Sequence, residues 1–258
     1  MPPPAGVLAA PRMKIAKRLV HSTLKRFGYR LTHEDFLVYG LEPFFRCLKR
    51  LGFAPRHIVD VGANRGVWTR TAIHYFPDAL YTLVEPQDYL KTHVADLIKQ
   101  GCNIRWLNAG VADTPGRLPF AISYRDDSST FVLEQDAVSG KQPSQIMVDI
   151  TTLNEIIAVP GTPMPEMVKI DAEGFDLKVL AGASGLFGKT EIFLVEAVVY
   201  GGHENKLLEV THRMAAFGYH LFDITDLNRS PKYGNLWVCE LAFLRNGSSL
   251  LAQIASYE

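Results

Sequence analysis

The stretch Ile58–Gly66 combines an acid, two glycines and an amide at a spacing that suits ligand binding. An apolar, β-branched run ends in Asp60, and a glycine-containing turn follows it. The residues after the turn have helical periodicity, so the pattern predicts a strand, a tight turn and a helix. Glycines let a ligand approach the backbone closely, and a helix N-terminus offers free N–H groups.

A second acid lies where folds of this kind hold a ribose. Glu85 directly follows the apolar run Leu80–Val84, about 20 residues past the turn, where a carboxylate can accept hydrogen bonds from both ribose hydroxyls. The turn reads D-x-G-x-N-x-G and lacks the dinucleotide fingerprint G-x-G-x-x-G. A carboxylate beside the ligand disfavours a pyrophosphate and suits a cationic ligand with an amino acid tail and a sulfonium. The predicted cofactor contacts here are Asp60, Gly62, Asn64, Gly66 and Glu85.

The run Met167–Ala183 reads as a buried strand that ends in acids and continues into a helix. Ligands of open α/β sheets bind beyond the carboxyl ends of the strands, so Asp171 and Glu173 are expected at the site. Side chains alternate along a strand, which puts Lys169 on the same face as Asp171. A buried lysine needs an anionic partner, so Lys169 is either a structural ion pair or part of the site.

Further candidate residues follow the neighbouring strands. Glu196 ends the predicted strand Glu191–Val195, and the loop after it carries His203. The end of the predicted strand Ile104–Leu107 is expected near an adenine ring, so the next segment supplies candidate contacts. The candidates are Asn108 through Ala112, and the predicted cofactor contacts among them are Asn108, Ala109 and Ala112.

The remaining elements alternate between helix and strand, which indicates an α/β protein. Apolar periodicity predicts helices at Glu34–Leu51, Gln87–Gln100 and Lys206–Phe217. Further strands are predicted at Arg117–Ile122, Ile146–Thr151, His220–Ile224 and Leu236–Leu244.

The composition excludes several classes of protein. A chain of 258 residues with 47% hydrophobic residues suits one large α/β domain with an appendage. Lys plus Arg and Asp plus Glu both number 27, so no overall charge favours a nucleic-acid partner. The 3 cysteines are scattered, which fits neither a disulfide framework nor a zinc site and predicts a reducing, cytoplasmic location. No apolar run reaches transmembrane length.

Taken together, these stretches resemble the FkbM family of methyltransferases that depend on S-adenosylmethionine (SAM). The resemblance spans residues 56–245, and its most specific part is Lys169–Ala183, which reads K-I-D-A-E-G-F-D-L-K-V-L-A-G-A. Val59–Gly66 and Val84-Glu85-Pro86 also match. Asn154 and Glu240 depart from the family pattern, in which an Asp is common at both positions.

This resemblance implies a Rossmann-like class I methyltransferase fold. Its mostly parallel seven-stranded sheet carries helices on both faces and ends in an antiparallel hairpin, which typical dehydrogenases lack. Residues 53–258 would form the SAM-dependent domain, and residues 1–52 an N-terminal basic and helical extension. Within the extension, Arg12–Arg30 has many basic residues and no acid. That segment is a lid, a weak contact with a membrane surface or another anionic surface, or a solvated edge helix.

The resemblance also implies methyl transfer from SAM to a hydroxyl of a small molecule, such as a sugar or a polyketide-type natural product. An alcohol is a weak nucleophile, so a base or a metal has to assist. Asp171 and Glu196 are the candidate ligands for Mg²⁺, with His203 or Glu240 nearby. Without a metal, the candidates for the base are Asp171, Glu173, Lys169 and His203.

Two other functional classes compete with this interpretation. An NAD(P)-dependent oxidoreductase is disfavoured by the missing G-x-G-x-x-G. A catalytically inactive protein that keeps the fold for binding or assembly would not need Asp60 and Glu85, yet both are present. The sequence leaves open whether the protein forms a homo-oligomer.

Overall fold

The structure is a computed structural model that describes residues 40–122, 130–131, 144–200 and 207–254. Its strands are β1 (His57–Val61), β2 (Leu80–Val84), β3 (Ile104–Leu107), β4 (Gly110–Val111), β5 (Gly116–Ile122), β6 (Thr130–Phe131), β7 (Ser144–Thr151), β8 (Met167–Ile170), β9 (Ile192–Val198), β10 (Tyr219–Arg229) and β11 (Leu236–Arg245). Its α-helices are α1 (Leu41–Arg50), α2 (Val67–Tyr75), α3 (Ala95–Lys99), α4 (Leu153–Ala158), α5 (Asp176–Ala181), α6 (Leu207–Ala216) and α7 (Ser249–Ala252).

The large sheet has seven strands in the order β10-β11-β9-β8-β1-β2-β3. β1 is parallel to β2 and β8, and β8 is parallel to β9. β11 is antiparallel to both β9 and β10, so the C-terminal hairpin is present. β1 is buried along its whole length because a parallel sheet is covered on both faces. The predicted fold class is therefore confirmed.

A smaller sheet, in the order β4-β7-β5-β6, packs beside the large one. It contains the two strands predicted at Arg117–Ile122 and Ile146–Thr151, which pair antiparallel with each other. An apolar cluster that includes Phe120, Ile150 and Phe175 joins this sheet to the start of α5. Local pattern predicts a strand but not its partner, so the second sheet was not foreseen.

Two predicted elements differ from the structure. The single helix predicted at Gln87–Gln100 is wrong, because a 3₁₀ helix covers Asp88–Val94 and only Ala95–Lys99 is α-helical. Val94, the last residue of the 3₁₀ helix, packs its side chain against Gly66 of the glycine turn. The strand predicted to end at Ile224 runs on to Arg229 through register shifts, which the alternation of residues does not reveal.

Helix α1 lies within the predicted helix Glu34–Leu51 and supplies fully buried side chains, Phe44, Phe45 and Leu48, to the core. The basic segment Arg12–Arg30 lies outside the described residues, and the domain boundary at residue 52 stays a prediction. In the part of the chain that is described, no helix is both long and apolar enough to cross a bilayer.

We expect Phe45→Ala to lower the free energy of unfolding by about 3–5 kcal/mol, the usual cost of emptying a large core position. The Phe45 ring is fully buried and makes edge contacts with Trp68 and Phe76, with centroids 5.5 Å away in both cases. Phe45→Leu is the matched control and should cost much less. Urea unfolding measures both variants, and a cost below about 1 kcal/mol for Phe45→Ala would contradict the packing of α1 in the core.

Candidate active site

The glycine turn after β1 packs directly against the turn after β8. Gly62 has a φ of +73°, and a Cβ added to it would lie 1.8 Å from the carbonyl oxygen of Asp171. Its N–H donates to the carbonyl of Val84 at 2.9 Å. Any side chain at this position would push the two turns apart. Glycine is therefore required here both by conformation and by space.

Lys169 connects the two turns through its ammonium group. Its side chain is 5% exposed, and Nζ lies 3.4 Å from Oδ1 of Asp60 and 3.0 Å from Oδ2 of Asp171. Nζ also donates to the carbonyl oxygen of Gly62 at 3.2 Å. The predicted shared face of Lys169 and Asp171 is thus confirmed, and one cation holds both strand ends.

The pKa of Lys169 is raised above its ordinary value. Burial alone would lower this pKa, but the carboxylates of Asp171, Asp60 and Glu240 outweigh burial. The side chain therefore stays an ammonium in the neutral pH range. An ammonium cannot remove a proton, which argues against Lys169 as the catalytic base.

Asp60 lies beneath the glycine turn and not at a cavity wall. Its side chain is fully buried, and Oδ2 accepts a hydrogen bond from the hydroxyl of Thr69 at 2.5 Å. Burial raises the pKa of Asp60, while the Lys169 ammonium and the Thr69 hydroxyl oppose that rise. The carboxylate thus fastens α2 to β1, and its predicted direct contact with a cofactor stays a prediction.

A cavity of about 250 Å³ lies beyond the carboxyl ends of β1, β2 and β8. Glu85, which is 4% exposed, lines this cavity. We name it the cofactor cavity because Gly62, Asn64 and Glu85, three of the cofactor contacts predicted from the sequence, lie in its wall. Its Oε2 accepts a hydrogen bond from the backbone N–H of Asn64 at 2.9 Å, and its Oε1 accepts one from that of Gln87 at 3.0 Å. Burial raises the pKa of Glu85, and these donors act against that rise. Two backbone donors therefore fix the orientation of the carboxylate.

The predicted adenine contacts divide into two groups. Ala109 lines the cofactor cavity, whereas Asn108 donates its side-chain amide to the carbonyls of Glu85 and Pro86 at 3.1 and 2.8 Å. Ala112 is buried in the apolar cluster of the small sheet, and Gly66 is the N-cap of α2. Gly110 and Val111, which belong to the segment predicted to contact adenine, also line the cavity. Sequence reasoning missed three lining residues, of which two follow β2 and one belongs to the small sheet: Pro86, Gln87 and Phe120.

The residues around this cavity fit SAM. Gly62 and Asn64 of the glycine turn line one side of the cavity, and the fixed carboxylate of Glu85 on another side suits ribose hydroxyls. Asn64, with a φ of +46°, completes the turn between them.

A second cavity of about 820 Å³ adjoins the first. Its wall contains acids from adjacent strands at one level of the sheet, because Asp226 pairs with Glu240 and Glu240 pairs with Glu196. Asp171, at the end of β8, continues this acid row. Asp171, Glu196 and Asp226 line both cavities. The sequence did not point to Asp226, because the predicted strand stopped short of it.

Burial changes the proton affinity of the acid row. It raises the pKa of Glu240 to about 7, against the opposing effects of Lys169 and the Thr225 hydroxyl. The pKa of Glu196 is raised more strongly, first by burial and then by Asp171 and other nearby acids. Glu196 and Glu240 therefore keep their protons at higher pH than ordinary carboxyl groups, which moderates the repulsion within the row.

Two predicted features of the site stay predictions, namely the role of His203 and the Mg²⁺ site. His203 belongs to the segment 201–206, which is outside the described residues. Asp171 and Glu196 lie on the same cavity walls, but the described residues include no group of three or more histidine, cysteine or acidic side chains arranged to hold a metal ion. The Mg²⁺ site therefore stays a prediction.

Comparison with protein families identifies the chain. Residues 60–227 match the model of the methyltransferase FkbM domain. The protein belongs to the FkbM methyltransferase family. The match begins at Asp60 and includes both turns described above, so the expected family is confirmed and the protein is a SAM-dependent methyltransferase with SAM as its cofactor.

Comparison with curated proteins finds no match. Among solved structures, the chain is similar to a 1,6-didemethyltoxoflavin-N1-methyltransferase from Burkholderia thailandensis, with 14% identity, a TM-score of 0.45 and coverage of 95% of this chain and 94% of the other. A magnesium protoporphyrin IX methyltransferase from Synechocystis PCC 6803 has 8% identity, a TM-score of 0.46 and coverage of 94% and 87%. A precorrin-6y C5,15-methyltransferase from Geobacter metallireducens has 12% identity, a TM-score of 0.41 and coverage of 78% and 86%.

We expect Glu240→Gln to flatten the dependence of stability on pH. The folded pKa of Glu240 is about 7 and lies above the ordinary value of 4.5, so its stabilising contribution is full below pH 4.5 and is lost as the pH rises through about 7. Glutamine can keep the Thr225 contact but does not titrate. Melting temperatures at pH 5, 6, 7 and 8 should therefore fall less for the variant than for the wild type. The exposed Glu42→Gln is the control, and equal slopes for all three proteins would contradict the raised pKa.

Proposed function

We propose that this protein transfers the methyl group of SAM to a hydroxyl of a small molecule, with a sugar or a glycosylated or polyketide-type natural product as the acceptor class. The observation that supports O-methylation is the acid row in the cavity next to the cofactor cavity. Carboxylates accept hydrogen bonds from hydroxyls, and one of them can take the proton that a reacting hydroxyl loses.

The second cavity has features that suit a polyhydroxylated acceptor. Its acid row offers many hydrogen-bond acceptors, so it favours a molecule with many donors. Val67, Trp68 and Val238 add apolar surface to the same cavity, against which the less polar face of a sugar ring can pack. A saccharide matches both kinds of wall.

Bound SAM supplies a methyl group made electrophilic by its sulfonium. Glu85 would hold the ribose, and the backbone of the Gly62 turn would lie along the amino acid part of the cofactor. Much of the rate enhancement then comes from holding two reactants in line. The close packing of the two turns gives this position its rigidity.

Asp171 is our candidate for the base. It lies at the carboxyl end of β8, its side chain is 33% exposed, and it lines both cavities. Lys169 would orient this carboxylate from the interior, 3.0 Å away. Glu173, in the wall of the cofactor cavity, and His203 remain alternative bases. If Mg²⁺ takes part, Asp171 and Glu196 would hold it and it would act on the acceptor oxygen as a Lewis acid.

Cofactor binding can be tested with S-adenosylhomocysteine in a calorimetric titration. We expect binding by the wild type and at least about tenfold weaker binding by Glu85→Gln, since hydrogen bonds to a charged acceptor are among the stronger ones. The exposed Asp78→Asn should bind like the wild type. Binding of NADH in preference to S-adenosylhomocysteine would instead support the oxidoreductase class. Equal binding by Glu85→Gln and the wild type would contradict the ribose contact.

The chemistry can be tested by screening sugars and hydroxylated natural products for formation of S-adenosylhomocysteine. With an active acceptor, we expect Asp171→Asn to lower kcat by about 10²–10⁴-fold, the usual contribution of a general base. Binding of S-adenosylhomocysteine should change little. Addition of EDTA separates the two mechanisms, because activity that survives chelation excludes an Mg²⁺ requirement. If Asp171→Asn has nearly wild-type activity, Asp171 is not the base and another residue must have that role.

A further inference from the structure

Asp176 is a buried carboxylate that the proposed chemistry leaves without a role. It is the first residue of α5, is 1% exposed and lines neither cavity. Its Oδ1 accepts a hydrogen bond from the backbone N–H of Ala172 at 2.8 Å, and its Oδ2 accepts one from that of Gly174 at 3.3 Å. Both donors belong to the turn that follows β8. The carboxylate therefore closes this turn from the protein interior.

The closed turn, residues 171–174, is a wall of the cofactor cavity. Asp171, Ala172 and Glu173 all line that cavity. Glu173 has a φ of +48°, a left-handed conformation that is uncommon outside glycine. Such a conformation persists where the surroundings fix it. The two N–H groups that donate hydrogen bonds to Asp176 belong to the residues on either side of Glu173. These bonds therefore hold the left-handed residue in place.

The 171–174 turn also determines the position of the glycine turn. Because the Asp171 carbonyl occupies the space where Gly62 would carry a side chain, a shift of one turn displaces the other. Phe175 anchors the far end of the 171–174 turn, since its ring is 3% exposed and packs with the small sheet. A change at Asp176 is therefore expected to reach two walls of the cofactor cavity.

Keeping a carboxylate at this position is costly for the fold. Burial raises the pKa of Asp176 to about 7, even though two backbone N–H groups stabilise its anion. A neutral side chain would avoid that cost but would accept fewer hydrogen bonds. The carboxylate at this position thus provides two hydrogen-bond acceptors for the turn, although its burial is unfavourable for the stability of the domain.

We propose that Asp176 is a positioning residue for the methyltransferase site, and that it acts by holding the 171–174 turn in its cofactor-binding conformation. The inference rests on the proposed use of this cavity for the cofactor. Asp176 touches neither cofactor nor acceptor and acts only through Asp171, Glu173 and the glycine turn.

The test compares three variants of the full chain by calorimetric titration with S-adenosylhomocysteine and by hydrogen–deuterium exchange without ligand. Asp176→Ala removes both acceptors and should weaken binding at least about tenfold. Asp176→Asn keeps the acceptor for Ala172 and places an amide donor against Gly174, so it should weaken binding by about threefold. In both variants the peptide that contains residues 171–176 should exchange faster than in the wild type.

Ser248→Ala is the matched control for a purely structural role. Ser248 is 2% exposed, and its hydroxyl accepts a hydrogen bond from the Leu250 N–H at 3.0 Å, where α7 begins. It lines neither cavity. Its loss should lower the melting temperature while binding of S-adenosylhomocysteine stays within about twofold of the wild type.

The outcomes separate this inference from the proposed function. If the wild type fails to bind S-adenosylhomocysteine, the proposed cofactor site and this inference both fall. If the wild type binds S-adenosylhomocysteine, and the folded variants Asp176→Asn and Asp176→Ala bind it as tightly as the wild type does, only the positioning role is overturned. If Asp176→Ala does not fold, Asp176→Asn alone decides: unchanged affinity and unchanged exchange at residues 171–176 overturn the inference.

Discussion

The ammonium of Lys169 is the interaction on which the site depends. It is almost completely buried between Asp60 and Asp171 and also bonds the carbonyl of Gly62. A buried cation is tolerated only with such partners, because desolvation of an unpaired charge costs far more than a hydrogen bond returns. The same group therefore forms ion pairs with two acids and joins the ends of β1 and β8. Loss of the cation would leave the buried carboxylate of Asp60 and the partly exposed carboxylate of Asp171 without their counter-charge.

The second constraint is steric. At Gly62 the backbones of two turns approach so closely that no side chain fits between them. Sterics and charge act together here. The absence of a side chain at Gly62 allows the ends of β1 and β8 to approach each other, and the Lys169 ammonium holds them together. A cofactor cavity with backbone walls results, and backbone walls supported by sheet strands move little.

The acid row is the feature of the sheet on which the proposed polar acceptor depends. The antiparallel strand β11 aligns Glu240 between Glu196 and Asp226, so carboxylates of three strands lie at one level. Burial, and after it the nearby carboxylate of Asp171, raises the pKa of Glu196 and of Glu240, so these two side chains keep their protons at higher pH than ordinary carboxyl groups. A hydroxyl-rich acceptor can replace these internal contacts with its own donors, which connects the fold of the C-terminal hairpin to the proposed choice of acceptor.

The sequence by itself determined the features that depend on local spacing. Strands β2 and β3 have the predicted bounds, because short apolar runs between turns define them. The acid and glycine spacing from Asp60 to Gly66, and the acids after Lys169, were sufficient for the family. Glu85 was found because its distance along the chain from the glycine turn is characteristic of this fold.

Only the tertiary structure decided which residues meet. Local pattern contains no information on long-range pairing, so the small sheet, the alignment of Asp226 with Glu240 and the close contact between Gly62 and Asp171 could not be read from it. The ionisation of Lys169 and Glu240 likewise follows from burial and neighbouring charges that exist only in the folded chain. For the same reason, Asp176 was visible in the sequence as part of a motif, and its bonds across the 171–174 turn were not.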